Sequence, residues 1–202
     1  MALTHVMSQG KNMKVYLAGP EVFFANGETL IQRKRSLTLQ YGFHPNIWMG
    51  DAEIPDDKFG SGLYISAANE VVMRDSDFVI ANITPFRGFA ADVGTSFELG
   101  FMCALDRPAF AYSNDPRHYE ERIVGHFGGT LAVRDDGVFR ADDGQMVEYH
   151  DMADNLMLDG GIAARGGIVA RPKSGTLLPA DDLSMFEECL SAARRFFDGN
   201  SQ

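Results

Sequence analysis

The stretch Asp77-Phe78-Val79-Ile80-Ala81-Asn82-Ile83 constrains this chain more than any other. A strand with one wet face alternates apolar and polar residues, whereas a nearly continuous apolar run is what a strand covered on both faces requires. Such strands belong to parallel sheets with helices above and below. Other short apolar runs supply the neighbours: Lys14-Val15-Tyr16-Leu17-Ala18 closed by Gly19-Pro20, then residues 43–48 ending at Trp48, 108–112 and 168–171. Helical periodicities separate them. Over 28–41, Leu30, Ile31, Leu37 and Tyr41 make one face, with Arg33, Lys34 and Arg35 expected toward solvent. Over 63–74, Leu63, Tyr64, Ala67, Ala68, Val71 and Val72 repeat at four-residue steps, and over 181–197 Leu183, Phe186, Leu190, Ala193 and Phe197 form the buried face behind Asp181 or Asp182 as cap. Strand and helix in alternation imply βαβ units. The expected class is α/β, an open doubly wound, mostly parallel five-stranded sheet of flavodoxin/Rossmann-like type.

Between Ser113 and Asp151 the character changes. Asp135-Asp136-Gly137 and Asp142-Asp143-Gly144 lie between β-prone runs at 130–133 and 146–149, which is hairpin chemistry inserted into the sheet. The acidic residues lack the alternation and distant Glu of a calcium loop, and His5, His44, His118, His126 and His150 show no ligand spacing. No metal is expected. The 202 residues, 45% hydrophobic, suit one domain, with residues 1–12 expected to be flexible and 113–151 as an elaboration, a lid or a subunit contact. A formal net charge of −10 argues against a surface that tracks nucleic acid or anionic lipid. Neither an export signal nor a membrane-spanning run is evident, and Cys103 and Cys189 sit in apolar helical patterns as buried thiols rather than a disulfide. Cytoplasm is the expected compartment.

The candidate chemistry lies in Asp92-Val93-Gly94-Thr95-Ser96-Phe97-Glu98-Leu99-Gly100. A helix follows this turn, its apolar face read from Phe97, Phe101, Ala104 and Leu105. Thr95 followed three residues later by Glu98 fits a capping box at the helix start. The alternative is a carboxylate nucleophile, exposed at the end of a strand-loop-helix unit where open α/β sheets bind ligands. The other such loop, Ala18-Gly19-Pro20-Glu21, matches neither the dinucleotide fingerprint nor the Walker pattern; Pro20 offers no N–H and Glu21 would repel phosphate. A nucleotide cofactor is not expected, and no other cofactor is indicated.

Taken together, Tyr16-Leu17-Ala18-Gly19-Pro20, the run 77–83 with Pro85-Phe86-Arg87-Gly88, the stretch 92–100 and Asn155-Leu156-Met157 resemble the nucleoside 2-deoxyribosyltransferase family. The resemblance covers 14–112 and resumes at Asn155, leaving the Asp-Gly segment unmatched. It implies that Glu98 attacks C1′ of a 2′-deoxynucleoside and holds the sugar covalently, with Tyr16 and Asp92 beside it as catalytic partners. It further implies substrate contacts from Gly19, Phe23, Arg87 and Gly94, and from Asn69 to the base. Asn155 and Met157 would be lent to the active site of a neighbouring subunit, which makes a homo-oligomer with shared sites the expected assembly.

The residue types suit that task. Loss of a base from C1′ passes through an oxocarbenium-like state that a carboxylate can stabilise and then trap, giving retention after two inversions. Asn69, where the family carries Asp or Asn, donates and accepts hydrogen bonds but cannot act as a carboxylic acid, so the group that protonates the leaving base stays unassigned. The implied function is deoxyribosyl transfer from a 2′-deoxynucleoside to a free nucleobase in nucleotide salvage. Hydrolysis of a deoxynucleoside or its 5′-monophosphate on the same fold is one alternative, which the acidic first loop disfavours for the phosphorylated case. A non-catalytic nucleoside-binding module is another.

Overall fold

A computed structural model describes residues 13–46, 53–128, 131–133 and 135–199. Trp48, Thr130 and the N-terminal stretch 1–12 therefore lie outside the described residues. In chain order the elements are β1 (Lys14–Ala18), a single 3-10 turn (Pro20–Phe23), α1 (Gly27–Gln40), β2 (His44–Asn46), α2 (Lys58–Arg74), β3 (Phe78–Asn82), α3 (Val93–Ala104) and β4 (Ala109–Tyr112). There follow α4 (Tyr119–Phe127), β5 (Ala132–Val133), β6 (Phe139–Arg140), α5 (Leu156–Ala163), β7 (Val169–Ala170) and α6 (Ser184–Gly199).

The main sheet has five strands in the order β2-β1-β3-β4-β7, every pair parallel. The run 77–83 supplies its central strand, buried along all five residues of β3. Phe78 and Ile80 enter the core beneath α1 and α6, with Leu30, Phe186, Cys189 and Leu190. Val79 and Ala81 enter the opposite core, with Val72 and Met73 of α2, Leu99, Met102 and Cys103 of α3 and Ile162 of α5. One strand thus carries two cores, and its period of two is hidden because both faces are apolar.

The helical faces differ from expectation in three places. In α3 the buried residues are Thr95, Leu99, Met102 and Cys103, whereas Phe97 is 61% exposed and Phe101 only half-buried. In α2 only Val72 and Met73 are buried, and Leu63 and Val71 stand 57% and 65% exposed. Periodicity shows which residues share a face but not whether that face meets the chain's own sheet. In α1, Lys34 is not on the solvent side: it is 2% exposed, on the stripe of Leu30 and Thr38.

The inserted segment is a small antiparallel pair, β5 with β6, and Arg140 bridges on to Met146. Both Asp-Gly groups turn as expected, with Gly137 and Gly144 at φ 75° and 81°. The sequence reading missed α4, which opens the segment. Its Arg122 is buried and donates to Asp154 Oδ2 at 2.8 Å and to the carbonyl of Phe89 at 2.8 Å. Asp154 Oδ2 also accepts from the backbone N of Ala91 at 3.0 Å.

Candidate active site

Strand order reverses at the β1–β3 boundary, the place where open parallel sheets leave a crevice beyond their carboxyl ends. A cavity of about 310 Å³ opens there, lined among others by Tyr16, Gly19, Glu21, Lys34, Asn69 and Glu98. Tyr16 arrives from β1, Asn69 from α2 and Glu98 from α3. Of the residues expected to touch substrate or take part in chemistry, Tyr16, Gly19, Asn69 and Glu98 share this cavity.

Tyr16 Oη donates to Glu98 Oε1 at 2.7 Å. Removal from water pushes the Glu98 carboxyl up to about 7; the Tyr16 hydrogen bond opposes this, while Asp92 and Glu21 add to it. Burial and the adjacent Glu98 charge hold the Tyr16 hydroxyl far above its ordinary range, so it remains a donor. The pair therefore fixes one carboxylate oxygen and leaves Oε2 without a protein partner among the described residues.

The capping box does not form. Asp92 is the N-cap of α3, its Oδ2 accepting from Thr95 N at 3.0 Å and Thr95 Oγ1 at 3.2 Å. Thr95 is then the third helical residue, and Glu98 lies in the second turn, past the free N–H groups that a cap serves. Gly94 sits in the first turn, where a Cβ would come within 3.0 Å of the Asp92 carboxylate. Asp92 and Gly94 build the helix start; neither lines the cavity.

Phe23 and Arg87 form a stack elsewhere on the same loops. Phe23 lies on Phe86 with centroids 5.5 Å apart, and the Arg87 guanidinium covers both rings at 5.2 and 4.7 Å. Arg87 has φ 54°, a left-handed conformation unusual for arginine. Asn155 caps α5 through Met157 N and donates to Glu148 Oε1 at 2.7 Å; Met157 is 72% exposed. None of these four lines the cavity.

Several residues the sequence reading did not assign to the site do line it. Asn46, at the end of β2, donates to Ser76 Oγ at 3.0 Å, and Arg35 joins it from α1. Beneath them Glu21 Oε1 accepts from Lys34 Nζ at 2.7 Å, Asn82 Nδ2 at 2.9 Å and Tyr112 Oη at 3.0 Å. Glu21 is thus no bare carboxylate facing the ligand: Lys34 matches its charge, so its acidity gives no ground for excluding a phosphorylated substrate. Lys34 shares a four-residue stripe with Leu30 and Thr38, but that spacing alone does not reveal the partner that lets a lysine be buried.

One cluster of metal-binding residue types occurs among the described residues, His118, Glu120 and Asp151, with one ligand atom from each within 4.8 Å of the others. None of the three lines the cavity, which holds no histidine or cysteine among its described residues. The same residues contain no helix long and apolar enough to cross a membrane.

Comparison with known proteins identifies the family. The family described as Nucleoside 2-deoxyribosyltransferase matches residues 15–157. Among solved structures, a 2-desoxiribosyltransferase from Leishmania mexicana is 31% identical, covering 72% of this chain and 85% of that one, with a TM-score of 0.55. A CMP N-glycosidase from Clostridium botulinum is more distant, at 15% identity and a TM-score of 0.35 over 50% of this chain and 67% of its own. An uncharacterised protein of Schizosaccharomyces pombe is 28% identical over 169 residues, which is 77% of this chain and 80% of that protein. The match runs from the second residue of β1 through the cavity-lining residues and α3 to α5, and the chain belongs to the nucleoside 2-deoxyribosyltransferase family.

Proposed function

We propose that this protein transfers the 2-deoxyribosyl group of a 2′-deoxynucleoside to another nucleobase through a covalent intermediate on Glu98. The observation that carries the reading is the Tyr16–Glu98 pair: a carboxylate facing a cavity, one oxygen fixed at 2.7 Å by a phenol and the other free to attack. In the first step Oε2 bonds to C1′ as the N-glycosidic bond breaks, and the base departs with the bonding electrons. Asn69 can hold the departing base by hydrogen bonds, and water delivers its proton. In the second step a nitrogen of the incoming base attacks C1′, the ester to Glu98 breaks, and the displaced proton passes to solvent. Two inversions give net retention.

The Tyr16 bond serves both halves by keeping the carboxylate in attack geometry without offering a base that competes for protons. Glu98 reacts only when ionised, so its raised affinity for a proton sets the acid limb of the activity. A role in nucleoside salvage and a homo-oligomer whose Asn155 and Met157 complete a neighbour's site belong to the same proposal. Exposure of Met157 and of Phe97 suits such a contact.

The test is incubation with 2′-deoxyadenosine, with and without cytosine, following bases, free deoxyribose and protein mass. Deoxycytidine with a deoxyribosyl adduct on Glu98 is expected. Free deoxyribose as the sole product moves the assignment to hydrolysis. Absence of turnover, with Glu98→Ala binding nucleosides as well as the unaltered protein, refutes catalysis.

A further inference from the structure

The cluster His118, Glu120 and Asp151 takes no part in the reaction above and lines no part of the cavity. Folding alone brings it together: His118 is the N-cap of α4, Glu120 stands in the first turn of that helix, and Asp151 comes from the far end of the insertion. The two segments run side by side, since the backbone N of Tyr119 donates to the carbonyl of Met152 at 2.9 Å. One ligand atom from each of the three residues lies within 4.8 Å of the other two.

Acidic groups often gather at a surface without an ion, but Glu120 is not at the surface. It is 4% exposed, and its Oε2 is buried with no hydrogen-bond donor among the described residues. A carboxylate taken out of water with neither donor nor cation is costly to bury. Asp154, three residues beyond Asp151, is just as deep and has the Arg122 guanidinium at 2.8 Å; Glu120 Oε2 has no such partner. His118 Nδ1 is buried and unpartnered as well. Two orphaned polar atoms thus belong to residues whose ligand atoms already converge with that of Asp151.

We propose that His118, Glu120 and Asp151 bind one divalent transition-metal ion of the Zn2+ type. An imidazole nitrogen with two carboxylate oxygens suits such an ion, whereas Mg2+ and Ca2+ favour oxygen ligands alone. The two carboxylates cancel its charge, and water completes its coordination. Bonds of about 2.0–2.2 Å draw the ligand atoms to about 3–3.5 Å of one another, a movement open to the half-buried His118 and the exposed Asp151. The ion is structural. It fastens the start of α4 to residue 151, at one end of a seam that Arg122 and Asp154 close at the other.

The experiment strips the intact protein with a chelator, adds ZnCl2, counts the metal retained through gel filtration and follows thermal unfolding. One Zn2+ per chain is expected. With free Zn2+ at about 100 times its Kd, Tm should rise by about 5–10 °C, and MgCl2 at the same concentration should move it by less than about 1 °C. His118→Ala, Glu120→Gln and Asp151→Asn should each weaken Zn2+ binding by more than about tenfold, the least that losing even a partner of a metal ligand costs. Asn at 151 keeps the left-handed backbone found there, at φ 55°. His150→Ala, beside the cluster but outside it, should bind as the unaltered protein does. If Glu120→Gln does not fold, the other two variants decide alone. A stripped protein that takes up no Zn2+, uptake unchanged in His118→Ala and Asp151→Asn, uptake lost equally in His150→Ala, or Mg2+ matching Zn2+ overturns the proposal.

Discussion

Replacing Glu98 with Gln should abolish transfer and, at alkaline pH, make the protein more stable. Glu98 is held at about 7 in the fold against 4.5 for an ordinary glutamate. A carboxyl whose folded affinity for a proton is raised contributes its stability below the unfolded value, and loses it as pH rises through the folded one. The window here runs from about 4.5 to about 7. At about 1.4 kcal/mol per unit, ionising Glu98 inside the fold costs roughly 3 kcal/mol above that window, and solvent at this half-buried site reduces the figure to about 1–2 kcal/mol. Gln cannot ionise, yet its carbonyl can still accept from Tyr16. For a chain of this size the gain corresponds to a Tm rise of about 2–8 °C at pH 8.5, shrinking to within about 1 °C at pH 4.5. Thermal unfolding of both proteins at the two pH values measures the difference. An equal effect at both, or a lower Tm for Glu98→Gln at pH 8.5, would show that the cavity does not hold Glu98 against its ionisation.

The same group should govern the rate: kcat is expected to climb with pH through about 7 as Glu98 ionises, and a flat profile between pH 5.5 and 8 contradicts it. Tyr16→Phe removes the 2.7 Å bond that favours the anion, so the acid limb should move upward and kcat at pH 7 fall about 10–100-fold, read from a pH–rate profile. Gly19→Ala places a methyl against Glu21 Oε2 and should cost about 1–3 kcal/mol in denaturant unfolding. Asp92→Ala removes the α3 cap and should cost about 1 kcal/mol, recovered by Asp92→Asn; turnover restored by Asn as fully as stability would mean that Asp92 acts only through the helix. If Asn155 and Met157 complete a neighbouring site, activity per chain should fall on dilution together with the sedimentation coefficient, and activity unchanged across dissociation contradicts shared sites.

The central strand was readable because burial on both faces writes itself into consecutive residues: 78–81 carry no polar position, and a run this short between turn residues suits a covered strand better than a buried helix. From it followed the parallel sheet, and from the sheet the crevice. Helical faces were harder. Phe97 and Leu99 are two positions apart on α3, and only the packing of that helix on β3 makes Leu99 the buried one. Lys34 was unreadable for a different reason, since a lysine is buried only where a partner waits, and Glu21 lies 13 residues away on a turn whose path the local pattern does not encode. Glu98 was singled out by its setting, but its bond to Tyr16 spans 82 residues and only the family resemblance placed the two together. That resemblance also suggested Phe23, Arg87, Asn155 and Met157, which are not among the residues lining the cavity of the single chain.

Arg122 and Asp154 give the inserted segment a meaning its Asp-Gly turns do not suggest. Asp154 holds Ala91, immediately before the α3 cap, and Arg122 holds Phe89, so the loop that delivers α3 is clasped by the helix that opens the insertion and by the residue Asp154 that follows it. The segment therefore has a dispensable tip and an indispensable root. The exposed turns 135–137 and 142–144 can be shortened or exchanged as freely as any surface turn, whereas a cut that takes α4 with them would release the loop in front of Asp92 and loosen the helix that carries Glu98.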